Sequence, residues 1–96
     1  MKQLTREELD HWEQTGKRFH LVDVREPWEH DAYNIGGVLI PLGQIMRRTS
    51  EIPTAEPVVM YCKKGIRSQI AIQRLQSDGG FQELYNLVGG IGHRPG

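Results

Sequence analysis

The single cysteine of this 96-residue chain, Cys62, lies where a thiol could act as a nucleophile. It follows the apolar run 58–61, and ligands of open α/β sheets bind beyond the carboxyl ends of the strands. The loop after it contains three cations, Lys63, Lys64 and Arg67. Nearby cations and a helix N-terminus lower the pKa of a thiol from about 8.5 toward neutrality. The pattern therefore indicates a reactive thiolate beside an anion-binding loop.

The rest of this loop also suits anion binding. Gly65 lets the backbone curl so that its N–H groups point inward. No acidic residue lies between Glu56 and Asp78, although the whole chain carries 12 acidic and 12 basic residues. We therefore expect one positive pocket in an otherwise neutral protein. The candidate site residues are the nucleophile and the six residues that follow it: Cys62, Lys63, Lys64, Gly65, Ile66, Arg67 and Ser68.

Other roles for these residue types are weaker. A lone cysteine after an apolar strand can be an inert core residue, but an inert thiol has no use for flanking lysines and a turn glycine. Residues 89–92 lack the lysine of a phosphate-binding loop and are expected to form a turn, so no cofactor is predicted. No metal site is predicted either, because zinc sites need clustered cysteine and histidine ligands and the histidines of this chain are scattered. The histidines are His11, His20, His30 and His93.

Composition excludes several functional classes. The equal numbers of basic and acidic residues lack the positive excess of a nucleic-acid-binding protein. The mean hydropathy is −0.53, and no apolar run approaches the roughly 20 residues of a membrane helix. The polar N-terminus does not resemble a signal peptide, and one cysteine cannot close an intramolecular disulfide. We expect a single domain over residues 1–96, in the cytoplasm, with no nucleic-acid or membrane partner.

Short segments of alternating periodicity must position the cysteine loop. Thr5 and Glu8 match a capping box, and the helix they begin is expected to end at Gly16. Residues 19–24 form a strand-like run, after which Pro27 can open a short helix. The remaining expected elements are strands at 38–40, 58–61 and 84–88, a helical segment at 42–48 and a helix at 67–77. This alternation indicates an α/β fold with a small, mostly parallel sheet and helices on both faces.

Four segments resemble, in order, the motifs of the rhodanese-like sulfurtransferase family. They are an Asp-x-Arg segment at 21–29, a central segment at 40–42, the active-site loop at 59–68, and a last strand and turn at 85–91. The resemblance covers nearly the whole chain and implies a rhodanese-like fold. It also implies a thiosulfate sulfurtransferase, in which Cys62 takes a sulfane sulfur from a small anionic donor. The resulting persulfide passes the sulfur to a thiol, a cyanide-like acceptor or a protein.

Two positions depart from the pattern of that family. Asn34 stands where the family usually has a histidine before an Ile-x-Gly turn. Residues 92–96 lack the tryptophan that usually lies in a last helix. We therefore expect the C-terminal helix to be short or truncated, which is also the pattern of a fragment of a longer protein.

Asp23 and Arg25 are expected to support the site without reacting themselves. Alternate residues of a strand share a face, so these two side chains can act together. Asp23 is expected to accept N–H bonds from the backbone or the loop, and Arg25 to pair with a carboxylate near the site. Trp28 is expected in a small satellite core, with the rim of the pocket as the alternative.

Sulfur transfer competes with other functions. Cysteine phosphatases also use a thiolate in an anion-binding loop, but five residues separate their cysteine from the arginine. Four residues separate Cys62 from Arg67, and the narrower loop suits one sulfur atom. A non-catalytic interaction module would usually lose the cysteine. A last alternative is the C-terminal domain of a larger protein that handles a sulfur carrier.

Overall fold

The computed structural model describes residues 1–93 and contains a five-stranded sheet. Its strands are β1 (Lys2–Leu4), β2 (His20–Asp23), β3 (Val38–Leu39), β4 (Val58–Tyr61) and β5 (Leu84–Leu87). They lie in the order β1-β5-β4-β2-β3, and every neighbouring pair is parallel. The expected parallel α/β sheet is confirmed.

Three α-helices and two 3-10 helices connect the strands. They are α1 (Arg6–Gln14), α2 (Pro27–Ala32) and α3 (Ile66–Asp78), with 3-10 helices at Leu42–Arg47 and Thr49–Glu51. The expected capping box begins α1, because the Glu8 amide donates to Thr5 Oγ1 and the Thr5 amide donates to Glu8 Oε1. The segment expected to be helical at 42–48 is largely a 3-10 helix.

Strand β4 lies at the centre of the sheet and is covered on both faces. Val58 and Met60 belong to one core cluster, which α3 and the first 3-10 helix complete. Val59 and Tyr61 belong to a second cluster with Leu9 of α1. A strand buried on both faces needs apolar side chains at every position, which explains its uninterrupted apolar run. The expectation of helices on both faces is confirmed.

Strand β1 was not expected from the sequence. Its residues pair with β5, with Lys2 opposite Tyr85 and Leu4 opposite Leu87. Only Leu4 of the three is buried. A strand this short, with polar residues at its first two positions, is too brief to display a period-2 pattern.

The chain leaves β2 and β4 in opposite directions. From β2 it continues to β3 on one side, whereas from β4 it continues to β5 on the other side. The crevice at the carboxyl ends of two such strands is the usual ligand site of a parallel sheet. Arg25 lies just beyond the end of β2, and Cys62 directly follows β4. The topology therefore places the candidate residues at the position best suited to a site.

Residues 88–93, the last that the structure describes, form a turn and a bend without a helix. The rest of the expected short or truncated C-terminal helix, residues 94–96, lies outside the described residues. Within the described part of the chain, no helix has both the length and the apolar character to cross a membrane.

Candidate active site

The sulfur of Cys62 lies against the N-terminal turn of α3. The backbone N–H of Gly65 donates to Cys62 Sγ at 3.1 Å, and the backbone N–H of Ser68 donates to it at 3.4 Å. The Ser68 hydroxyl lies 3.4 Å from the same sulfur. These first amides of a helix have no partner within the helix, so a sulfur anion beside them satisfies their hydrogen-bonding capacity.

These contacts favour the charged form of the thiol. Burial by itself raises the pKa of Cys62, but the Ser68 hydroxyl, when it donates to the sulfur, and the amides of Ser68, Lys64 and Gly65 outweigh it. The pKa of Cys62 therefore lies below its ordinary value. The direction agrees with the expectation from the sequence, yet the cause is mainly local hydrogen bonding and not the charge of the lysines.

The turn after β5 holds the cysteine loop through backbone hydrogen bonds. Ile91 donates its amide to the carbonyl of Cys62 at 3.0 Å, and Gly92 donates to the carbonyl of Lys63 at 2.9 Å. Gly90 allows this approach, because a Cβ there would lie 2.4 Å from the carbonyl oxygens of Cys62 and Lys63. Gly65 has a φ of 89°, so its left-handed backbone turns the chain into α3. The expected turn at 89–92 thus holds the loop in place.

A small pocket opens beside the sulfur. Its volume is about 280 Å³, and no acidic residue among those described lines it. Neither Lys63 nor Lys64 forms an ion pair with any described residue. Ile66 is 62% exposed beside the same opening. The lining residues are Cys62, Lys63, Lys64, Ile66 and Arg67.

Arg67, the third cation expected to attract an anion, is held by Glu29 of α2. Its Nη1 and Nη2 atoms donate to the two carboxylate oxygens of Glu29 at 2.6 and 2.8 Å. The hydrogen bond from Arg67 is the main cause that lowers the pKa of Glu29 from 4.5 to about 2. The expected trio of cations is thus divided, because the charge of Arg67 is compensated and those of Lys63 and Lys64 are not.

Asp23 and Arg25 form a buried ion pair. Arg25 donates through its backbone amide and Nε to Asp23 Oδ1, and through Nη2 to Oδ2, at 2.8 to 3.0 Å. His30 Nδ1 lies 2.9 Å from Asp23 Oδ2, so this carboxylate has four contacts. Arg25 also donates to the carbonyl of Tyr33. The carboxylate expected near Arg25 is therefore Asp23 itself, and the pair fixes the loop after β2.

Trp28 does not lie in a core. Trp28 is 72% exposed, and it lines a neighbouring pocket of about 630 Å³ together with Lys63. The preference for a satellite core was wrong, because Trp28 projects from the outer side of α2, a helix of only six residues. The alternative position at a pocket rim is the one observed.

Several residues of the site were missed from the sequence. Glu29 and Arg67 are 38 positions apart, so no local pattern links them, although Glu29 three residues after Glu26 is a capping spacing. Asn86 accepts a hydrogen bond from Ser68 and was also missed. Its signal is a polar residue inside the otherwise apolar run of β5. Among residues 1–93, no group of three or more potential ligands is arranged to hold a metal.

Comparison with known proteins places this geometry in a family. Residues 5–92 match the family model described as the rhodanese-like domain. The chain belongs to the rhodanese-like domain family. A solved rhodanese-like domain protein from Staphylococcus aureus superposes with a TM-score of 0.83 at 28% identity, over 94% of this chain and 87% of that one. The family expectation from the sequence is confirmed.

Curated relatives of this rhodanese-like domain differ in length. It is 43% identical to the uncharacterized protein YqhL of Bacillus subtilis, covering 95% of this chain and 70% of that protein. It is 36% identical to the probable adenylyltransferase/sulfurtransferase MoeZ of Mycobacterium tuberculosis, covering 92% of this chain but 23% of MoeZ. It is 32% identical to the thiosulfate sulfurtransferase GlpE of Coxiella burnetii, covering 86% of this chain and 78% of GlpE.

Proposed function

We propose that this rhodanese-like domain is a sulfurtransferase that moves a sulfane sulfur through a persulfide on Cys62. The observation that carries the proposal is the position of Cys62 Sγ, which borders a pocket and accepts backbone hydrogen bonds from Gly65 and Ser68. Fixed amide dipoles stabilise negative charge on sulfur without reorganising during the reaction. Such a site suits a nucleophile that alternates between thiolate and persulfide.

The proposed reaction has two displacement steps. In the first, the Cys62 thiolate attacks the outer sulfur of thiosulfate, the S–S bond of the donor breaks, and sulfite leaves with the electron pair. In the second, a thiolate or cyanide acceptor attacks the terminal sulfur of the persulfide, and Cys62 leaves as a thiolate. No oxidant or reductant is consumed, because the sulfur atom is transferred together with its oxidation state.

A small anion suits the charge beside the sulfur. Lys63 and Lys64 border the pocket, and among the described residues neither has an acidic partner. Uncompensated charges at a cleft raise the local concentration of an oppositely charged substrate. GlpE, a relative at 32% identity, is named a thiosulfate sulfurtransferase, which also supports thiosulfate as the donor. Relatives named as a sulfurtransferase and as a putative sulfur carrier fit sulfur donor and acceptor partners in general.

The arrangement of Arg67 argues against a phosphatase. A phosphatase arginine offers its positive charge to the phosphate, whereas the charge of Arg67 is compensated by Glu29 through two hydrogen bonds. A non-catalytic interaction module would not need the backbone hydrogen bonds that Gly65 and Ser68 donate to the Cys62 sulfur. We further propose that residues 1–96 act as one domain in the reducing cytoplasm, where a thiolate persists.

The substitution Cys62→Ser tests this function. We expect it to abolish sulfur transfer from thiosulfate to cyanide while the far-ultraviolet circular dichroism and the unfolding midpoint stay near those of the native protein. The native protein should hydrolyse small aryl phosphates no faster than the Cys62→Ser variant. Transfer in the variant near the native rate would contradict the proposal, and phosphatase turnover that depends on Cys62 would replace it.

A further inference from the structure

A chain of polar side chains runs from Cys62 away from the pocket to an edge of the sheet. The Ser68 hydroxyl lies 3.4 Å from Cys62 Sγ and donates to Asn86 Oδ1 at 2.5 Å. Asn86 Nδ2 then donates to Gln3 Oε1 at 3.0 Å. Ser68 and Asn86 are buried, whereas Gln3 is exposed on β1. Sulfur transfer as described above gives no role to Asn86 or Gln3.

The Ser68 hydroxyl cannot serve both of its neighbours in the same way. It has one proton and two lone pairs, and that proton is directed to Asn86. Only the lone pairs of Ser68 then face Cys62, which suits a thiol because its S–H can donate to them. A thiolate has no proton to donate. The same arrangement would set oxygen lone pairs against a buried sulfur anion, which is unfavourable.

Turning the Asn86 amide would resolve this conflict. An amide side chain presents a donor NH₂ on one side and an acceptor oxygen on the other. With the amide turned over, Asn86 Nδ2 donates to Ser68, and the Ser68 hydroxyl donates to the sulfur anion. Gln3 can turn in the same way, so its Nε2 then donates to Asn86 Oδ1. Every hydrogen bond is kept, and the direction of each is reversed.

We infer that Cys62, Ser68, Asn86 and Gln3 form a reversible hydrogen-bond chain whose direction follows the charge on the sulfur. Asn86 is a positioning residue in this chain, because it acts on the sulfur only through Ser68. The inference rests on the proposed function, since it concerns the same nucleophile. Its consequence is that a buried sulfur anion gains a neutral hydrogen-bond donor, and the thiol loses none of its contacts.

Position 3 offers the mildest test, because Gln3 is exposed and lies at the outer end of the chain. In Gln3→Glu the side chain can only accept, which fixes the chain in the direction that suits the thiol. In Gln3→Lys the side chain can only donate, which fixes the opposite direction. Alkylation with iodoacetamide, a neutral reagent, as a function of pH measures the pKa of Cys62 in each variant.

We expect opposite effects on the thiol. Gln3→Glu should raise the pKa of Cys62 and slow its alkylation near neutral pH by about threefold to tenfold, the equivalent of one lost hydrogen bond. Gln3→Lys should lower the pKa and speed alkylation. Gln3→Leu is the matched uncharged control, since it leaves Asn86 free to turn, and its alkylation rate should lie between the other two.

A charge at position 3 also acts on Cys62 through space, so each variant is repeated with Ser68→Ala. Without the hydroxyl the chain is broken, and only the through-space contribution remains. The difference between the two backgrounds isolates the chain, because all other charges are common to both. The charged groups around the sulfur and position 3 are Lys63 and Lys64 of the loop, Arg67 and its partner Glu29, the pair Asp23 and Arg25, and the pair Lys2 and Glu83.

The inference requires a shift in alkylation rate at least twice as large with Ser68 present as with Ser68→Ala. Equal shifts in the two backgrounds would overturn it. Asn86→Asp, which removes the donor within the buried part of the chain, should raise the pKa of Cys62 in the same Ser68-dependent manner. Alkylation needs no sulfur donor, so a protein that behaves as expected here but accepts no sulfur would contradict the proposed function alone.

Discussion

The loops that follow β2 and β4 lie side by side, yet they differ in whether their charged side chains are paired. In the loop after β2, Arg25 is buried and bound to Asp23 through three hydrogen bonds. In the loop after β4, Lys63 and Lys64 have no acidic partner among the described residues, and Cys62 is held by neutral donors. One loop has its charges compensated, and the other keeps them available.

This difference indicates that the loop after β2 supports the fold, whereas the loop after β4 is available to bind a ligand. Buried and compensated charges fix a geometry, since removing one member leaves the other unpaired in the interior. Uncompensated charges at a pocket attract a ligand and contribute little to the stability of the fold. Arg67 belongs by sequence to the loop after β4, but its contact with Glu29 of α2 joins the two regions. Substitutions on the β2 side should therefore change stability, and those on the β4 side should change chemistry.

The largest effect is expected at the buried ion pair. Asp23→Ala leaves the Arg25 guanidinium buried without its carboxylate, and we expect the free energy of unfolding to fall by about 3–5 kcal/mol. Urea unfolding measures the loss. Arg48→Ala, which breaks the exposed pair with Glu51, is the control and should cost far less. Equal losses for the two variants would show that the loop after β2 is not the supporting region.

A smaller effect is expected where the two regions meet. The pKa of Glu29 is about 2 in the folded protein against 4.5 ordinarily, chiefly because of Arg67. A lowered pKa stabilises the fold above the ordinary pKa, and this contribution is lost as the pH falls toward the folded value. We expect Glu29→Gln to lower the free energy of unfolding by about 2–3 kcal/mol near neutral pH and to have almost no effect at the folded pKa of Glu29.

The control for this prediction is Glu13→Gln, which removes an exposed carboxylate of α1. Its unfolding free energy should follow that of the native protein at both pH values. A cost of Glu29→Gln that stays constant between neutral and acidic pH would mean that the side chain acts through its shape and not through its charge. The ion pair between Glu29 and Arg67 would then contribute nothing to stability through its charges.

The smallest effect is expected at an uncompensated lysine. Lys64→Glu should raise the KM for thiosulfate by about twofold to fivefold and weaken its dependence on salt, because exposed charges are screened over about 10 Å at 0.1 M. It should also raise the pKa of Cys62. Lys17→Glu is the control, since Lys17 precedes β2 and lies toward the amino ends of the strands, away from the cysteine loop at their carboxyl ends. An unchanged KM in Lys64→Glu would show that Lys64 does not attract the anion, and would leave Lys63 and the loop amides to bind it.

Local sequence patterns predicted much of the supporting frame. The run 58–61 is apolar at every position because both faces of β4 are covered, and the capping box at Thr5 begins α1 as expected. The glycine of the loop after Cys62 and the place of the loop at a strand end predicted inward-pointing amides, and the amides of Gly65 and Ser68 donate to the sulfur. Strand β1 escaped detection because its stability comes from pairing with β5, which no local pattern records.

Contacts between distant segments could not be predicted in the same way. The sequence suggested one cationic region, because acids are absent between Glu56 and Asp78. The fold then brings Glu29 across to Arg67 and compensates one of those charges. The link from Ser68 to Asn86 spans 18 positions, and only the polar character of Asn86 within an apolar strand hinted at it. Tertiary contact decides which charges remain available.

The most direct test of the account is the intact mass of the protein after incubation with thiosulfate. The native, reduced protein should gain the mass of one sulfur atom, and a thiol reductant should remove it. Cys62→Ser should gain nothing under the same conditions, while Asp23→Asn, if folded, should still take up sulfur because its effect is on stability. A native protein that acquires no sulfur, or a Cys62→Ser variant that does, would contradict the assignment of Cys62 as the sulfur carrier.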